Sequence, residues 1–147
     1  RYIEQFGYKC TMQTDTEVIT YLFDHLLRHH ELPMDVAADV LTAPEWDEID
    51  RMDDERKEYF TNLRAMYSGA LVNGPFSVIL GSNKGLLAIN DRLKLRSLTA
   101  ATKGDRAYFA SEESAIRVVC PDPEKVWSIS GAQPVFGPLE IDEKEEY

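Results

Sequence analysis

At 147 residues the chain has the size of one ordinary domain, and 44% hydrophobic residues suffice for a core. Its formal net charge of −10 repels phosphate backbones, so no nucleic acid is expected among its partners. No apolar run reaches the roughly 18 residues of a membrane span, so no membrane is expected either.

Arg1 to Phe6 lacks the long apolar region of a signal peptide, and a cytoplasmic location is the expectation. Tyr2, Ile3 and Phe6 would share one face of a helix end that Gly7 stops. Tyr8 to Met12 reads as a short strand, with Cys10 packed in the core. Thr14-Asp15-Thr16-Glu17 then has the form of a capping box. Val18, Ile19, Leu22, Phe23, Leu26 and Leu27 recur at helical spacing, so a helix laid on a core is predicted from Thr14 to Arg28. His25 and His29 stand four apart, as two zinc ligands would, but no third ligand follows in the required pattern. They read as a solvated helix flank, with no metal expected.

Met34 to Leu41 predicts a short helix broken before Pro44. Trp46, Ile49 and Met52 open another, and Tyr59, Phe60, Leu63, Met66 and Tyr67 form the stripe of a third. Gly74 to Leu80 and Leu86 to Asn90 read as a hairpin around Ser82-Asn83-Lys84-Gly85. A strand through Ala101 turns at Lys103-Gly104-Asp105 and pairs with Ala107 to Ala110. Ser111 is expected to cap a helix from Glu112 to Val118, and strands follow at Val126 to Ile129 and Gln133 to Phe136. Cys10 and Cys120 lie far apart, which argues against a structural disulfide. The acidic clusters at Glu45 to Glu58 and Asp142 to Glu146 read as solvated surface.

Asp15 is the informative residue. It falls in the first helical turn, where free amide hydrogens and the helix dipole favour a carboxylate. Such a group can hold a ligand ammonium, or it can simply favour the helix start.

Gly7-Tyr8 followed by Thr14-Asp15-Thr16-Glu17-Val18-Ile19 resembles the class II glutamine amidotransferases, which belong to the N-terminal-nucleophile hydrolases. Gly74-Pro75-Phe76, Asp91-Arg92, Leu95-Arg96-Ser97-Leu98 and Ala110-Ser111-Glu112-Glu113 extend the resemblance in order, with Ser97 where proline is usual. It implies an α+β fold, a partial αββα sandwich with a helical insert at about 34–68, over residues 1–140, with an acidic tail at 141–147. It assigns Asp15 to the α-amino group of glutamine, with Thr14 as the cap that supports it. The family's N-terminal cysteine nucleophile, its oxyanion Asn-Gly pair and its carboxylate-binding arginine all precede this motif.

Residue 1 is arginine, so the chain reads as a piece of a longer polypeptide. No catalytic residue is expected within it, and residues 1–147 alone are not expected to hydrolyse glutamine. The missing N-terminal portion, or another chain supplying it, would cover sheet edges otherwise left open. Phosphoribosyl-amine and glucosamine-phosphate synthases share the amidotransferase domain. Pro44-Glu45-Trp46-Asp47-Glu48-Ile49-Asp50-Arg51-Met52 resembles the archaeal-type glutamate synthase proteins, which implies a flavin-containing synthase domain or subunit as partner. No cofactor is expected in this chain, which has no Gly-rich phosphate loop. A non-catalytic scaffold, a glutamine sensor, or an unrelated α+β protein whose helix cap mimics the motif are the competing readings.

Overall fold

The Thr14 hydroxyl accepts the amide hydrogen of Glu17 at 3.2 Å and starts helix α1, Asp15–Asp24. The computed structural model describes residues 2–12 and 14–139. Ile19, Leu22, Phe23 and Leu26 are buried along one side, as their spacing predicts. The helix ends differently from its sequence pattern. His25–His29 form a wider π-type turn, with the His30 amide donating to the His25 carbonyl at 3.2 Å. That turn rotates His25 inward, where it is buried among aromatic rings. His29 remains exposed. The solvated flank expected for the pair therefore holds for His29 and is corrected for His25.

The segment before α1 also departs from expectation. Ile3–Phe6 is one turn of 3-10 helix closed by Gly7 at φ 89°, where a side chain would be strained. Tyr8 to Met12 is not a strand. Its amides instead serve Glu17, whose carboxylate accepts from Thr11 N at 2.7 Å and Met12 N at 2.8 Å. Cys10 is half-buried against the helical core.

Helix α2, Met34–Thr42, buries Ala37, Ala38, Val40 and Leu41. The single turn α3, Trp46–Ile49, buries Ile49 and leaves Trp46 exposed, with the Arg64 guanidinium 4.7 Å above its ring. Helix α4, Asp54–Met66, is capped by Asp53, which accepts from Arg56 N at 3.0 Å. Of the apolar stripe expected here, Phe60, Leu63 and Tyr67 are buried, Tyr59 is part-exposed, and Met66 faces outward.

The hairpin forms as β1, Ser77–Ser82, against β2, Gly85–Asn90, in antiparallel register from Ser77↔Asn90 to Ser82↔Gly85. Gly74 to Phe76 lie outside the ladder. Pro75 has no amide hydrogen to give a neighbouring strand. Strands β3, Thr99–Lys103, β4, Arg106–Ala110, and β5, Lys125–Ser128, make a second antiparallel sheet in the order β4-β3-β5. Strand β6, Val135–Pro138, returns to the first sheet, giving β1-β2-β6. Helix α5, Glu113–Val119, follows Glu112 with no side-chain cap, so Ser111 does not have the capping role expected of it.

Alternation along the strands sets the layers. In β2, Leu87 and Ile89 face the helical core, and Ala88 faces the second sheet. In β3, Ala100 meets Ala88, Leu98 and Ile129 between the sheets, whereas Ala101 packs with Ile116 of α5 and Cys120 on the far side. The result is an α+β chain layered as helices, sheet, sheet, helix. The acidic tail expected at 141–147 lies outside the described residues.

Candidate functional site

A cleft of about 570 Å³ opens where the mouth of α1 meets the segment leading into β1. Asp15 lines it from α1 and Arg96 from the turn after β2. Val18, Leu71, Val72 and Phe76 supply apolar wall between them, and Cys10 and Tyr2 close one side.

Asp15 is exposed at the helix start, beside the Thr14 hydroxyl that caps the same turn. Among the described residues its carboxylate has no hydrogen bond or ion pair. Its neighbour two places on behaves oppositely. Glu17 is 8% exposed and turns back to the approaching chain, where it takes the amides of Thr11 and Met12. One acidic residue of the motif thus fixes the backbone around the helix mouth while the other is presented to the cleft. Cys10 lies nearby, yet no base is hydrogen-bonded to it among the described residues. It therefore lacks the nucleophile–base pairing that covalent catalysis needs.

The opposite wall is built by the turn that the sequence marked as Asp91-Arg92 and Leu95-Arg96-Ser97-Leu98. The Asp91 carboxylate is 3% exposed and accepts three amides: Leu95 N at 2.9 Å, Arg96 N at 3.1 Å and Phe76 N at 3.3 Å. The Asp91 amide donates to the Phe76 carbonyl at 2.9 Å, so the turn and the segment before β1 are held as one unit. Arg92 points the other way. Its guanidinium pairs with Glu45 and donates to the Val72 carbonyl at 3.1 Å, tying the helical block to the cleft wall. Arg64 assists from α4 by donating to the Pro44 and Ala43 carbonyls. Gly131 passes so close to this turn that a Cβ there would overlap the Arg92 carbonyl.

A second cavity, about 710 Å³, lies between α2, α4 and the Gly131 loop. Two of its charged groups are engaged internally. Tyr59 donates to Asp39 at 3.0 Å, and Arg92 is held by Glu45. Burial pushes the Asp39 carboxyl up, against the hydrogen bond from Tyr59. Burial and then Asp39 push the Tyr59 hydroxyl up.

The histidines gather differently from a metal pair. His25 Nε2 lies 3.2 Å from His30 Nε2, and His30 Nδ1 lies 3.4 Å from the Tyr67 hydroxyl. Among the described residues His29 contributes only ring contacts, to His25 and Tyr8. Among the described residues no group of three or more His, Cys, Asp or Glu is arranged to hold a metal. No helix among them is long and apolar enough to cross a membrane.

The sequence singled out Asp15 and Thr14. It did not single out Glu17 as the brace of the helix mouth, nor Asp91 and Arg96 as the opposing wall. The signal for the wall was the acidic residue closing a strand, with an arginine five residues on.

Over 145 residues, 99% of its length, the chain is 44% identical to an uncharacterized protein of Archaeoglobus fulgidus. Over 120 residues, 82% of its length, it is 30% identical to an amidophosphoribosyltransferase of Pyrococcus horikoshii. It spans 38% of the first relative and 20% of the second. No family model and no solved structure matches the chain. Along most of its length, then, the chain is similar to part of an amidophosphoribosyltransferase.

Proposed function

We propose that the chain is the glutamine-binding portion of a class II glutamine amidotransferase, an N-terminal-nucleophile hydrolase in which the intact parent releases ammonia from glutamine. The observation that carries this reading is the Asp15 carboxylate, presented at the helix mouth to a cleft with apolar walls and without a partner among the described residues. In this role it receives the α-amino group of glutamine, and Thr14 supports it by fixing the helix start. The similarity to an amidophosphoribosyltransferase and the layering of helices around two antiparallel sheets support the same reading.

The finer assignment is to a glutamate synthase-type parent with a flavin-containing partner domain or subunit. It rests on the Pro44 to Met52 stretch and the helical block that carries it. In this reading the ammonia passes to the partner, and this chain contributes substrate binding and scaffold.

The test is glutamine hydrolysis and glutamine binding by the polypeptide translated from its natural start, with Asp15→Asn beside the parent sequence. Loss of a charge-assisted hydrogen bond should weaken glutamine binding by about 10- to 100-fold. A glutaminase rate with unchanged KM in Asp15→Asn would overturn the assignment. Since Cys10 lacks a base, a glutamine-sensing or scaffolding module is the second reading. Binding of glutamine without turnover by that same polypeptide would select it.

A further inference from the structure

We propose that the contact between His25 and His30 is a proton-operated latch. It keeps the Ile3–Phe6 turn seated on α1, and protonation of both rings loosens that turn and with it one side of the cleft. The inference concerns another part of the molecule and does not depend on the amino-acid reading above.

The first ground is how the two rings meet. Their Nε2 atoms are 3.2 Å apart, so one nitrogen donates and the other accepts. His30 continues the chain through Nδ1, which lies 3.4 Å from the Tyr67 hydroxyl. One added proton can be accommodated: His30 carries it and donates to His25, whose own hydrogen then sits on Nδ1. A second cannot. Each Nε2 would bear a hydrogen and each ring a positive charge, and the contact would have no acceptor. His25 finds no substitute where it lies. It is 3% exposed, and its Nδ1 is buried without a partner among the described residues.

The second ground is the surroundings of the pair. His29 adds a third imidazole, its ring centroid 5.1 Å from that of His25. The carboxylate that favours charge on His25 is Asp24. It already holds Arg28 Nε at 2.7 Å and the Tyr8 hydroxyl at 2.7 Å. Elsewhere the ring meets aromatic surface, with the Phe6 centroid at 4.1 Å and the Tyr8 centroid at 6.0 Å. Charge gathered here is poorly compensated in place, and separating the rings relieves it.

The third ground is what the latch holds. Phe6 lies against His25, and Tyr2 meets the Phe6 ring edge-on at 5.4 Å. The turn they flank has no side-chain cap and ends at Gly7, whose φ of 89° marks it as the hinge. Beyond the hinge the chain is fixed separately, by Glu17 on the amides of Thr11 and Met12. Tyr2 and Ile3 line the cleft, so movement about Gly7 opens that side. Buried Ile3 is a hold that remains, and the turn loosens without detaching.

The experiment is amide hydrogen exchange by NMR from about pH 7 to about pH 5, with a metal chelator present, on the polypeptide translated from its natural start. Rates are divided by those of an unstructured peptide at the same pH. The reporters are Gln5 and Gly7, whose amides donate to the Tyr2 and Glu4 carbonyls within the turn. The references are Thr11, held by Glu17, and strand β2. Opening coupled to one proton grows by up to about tenfold per pH unit, so protection at the reporters should fall about tenfold while the references hold. His25→Phe keeps an aromatic ring against Phe6 without a titrating group, and His30→Gln keeps a polar partner without a second charge. Both should flatten the fall, and His29→Gln, which leaves the pair intact, should retain it. In the parent sequence, ring-proton shifts should show the pair taking up its second proton at a lower pH than His29 takes its own. This titration needs no variant and decides the matter if a variant does not fold. Constant protection in the parent, equal loss at reporters and references, an unaltered fall in both His25→Phe and His30→Gln, or common titration of all three histidines overturns the latch.

Discussion

The carboxylate of Glu17, inside the first turn of α1, accepts the main-chain amide of Thr11 at 2.7 Å. The same carboxylate takes Met12 N at 2.8 Å and lies 3.2 Å from the Thr11 hydroxyl. A helix residue therefore organises the chain that precedes the helix. Glu17→Ala would leave these amides without their charged acceptor, at a cost of about 2–3 kcal/mol. Glu17→Gln should also destabilise, because its NH₂ group faces a donor where the carboxylate presented an acceptor. Urea unfolding of both variants measures the loss, and unchanged midpoints would remove Glu17 from this role.

Asp91 performs the same task on the opposite wall. Asp91→Ala removes the acceptor of the Phe76, Leu95 and Arg96 amides at once. The expected cost is about 2–4 kcal/mol, and amide hydrogen exchange at Leu95 and Arg96 should accelerate well before that at Leu87 and Ile89 in β2. Equal acceleration throughout would mean that Asp91 supports the whole fold and not the turn.

His25 makes stability depend on pH. Burial, then the neighbouring His30 and His29, hold its imidazole below the ordinary value, with Asp24 opposing. The unfolded chain binds a proton near about pH 6.5, whereas the folded chain resists it. The contribution is fully present above that value and is lost as pH falls through the depressed one. Urea midpoints should therefore decline from about pH 7 to about pH 5. His25→Phe removes the titrating ring and its unpartnered Nδ1 and should flatten part of that decline. A parallel decline in the variant would assign the effect to other groups.

Gly131 is where two loops meet with no space for a side chain. A Cβ would meet the carbonyls of Arg92 and Asp91. Gly131→Ala should destabilise by about 1–3 kcal/mol, since backbone has to move. Its thermal midpoint should fall below that of Gly7→Ala, where left-handed backbone is strained but nothing crowds the added methyl. The reverse order would show that conformational freedom matters more here than space.

The elements most legible in the sequence were those with local causes. Thr14 starts α1 because a hydroxyl reaches an amide three residues away. The β1–β2 hairpin follows from two short apolar runs on either side of a Gly-containing turn. The misreadings came from long-range demand. Tyr8 to Met12 has strand-like composition, but its amides are claimed by Glu17. His25 is a polar residue next to Asp24 in sequence, yet a single wide turn carries it into the aromatic cluster of Phe6, Tyr8 and His30. Ser111 has the right chemistry for a cap, but the helix begins one residue after Glu112. On the site, Asp15 was visible because its motif is contiguous. The Arg96 wall was not, because it depends on a left-handed Lys94 and on two buried side chains, Asn90 and Asp91, that fold the turn back toward Phe76.

In each sheet the central strand is covered on both sides, while among the described residues β1, β6, β4 and β5 each have a neighbour on one side only. Rows of unpaired main-chain donors and acceptors invite growth by addition of further strands. Mutual repulsion among molecules of net charge −10 opposes such stacking. Dissolved electrolyte shortens the reach of that repulsion to about 8 Å at physiological strength, so the colloidal behaviour of this chain is governed by ionic strength.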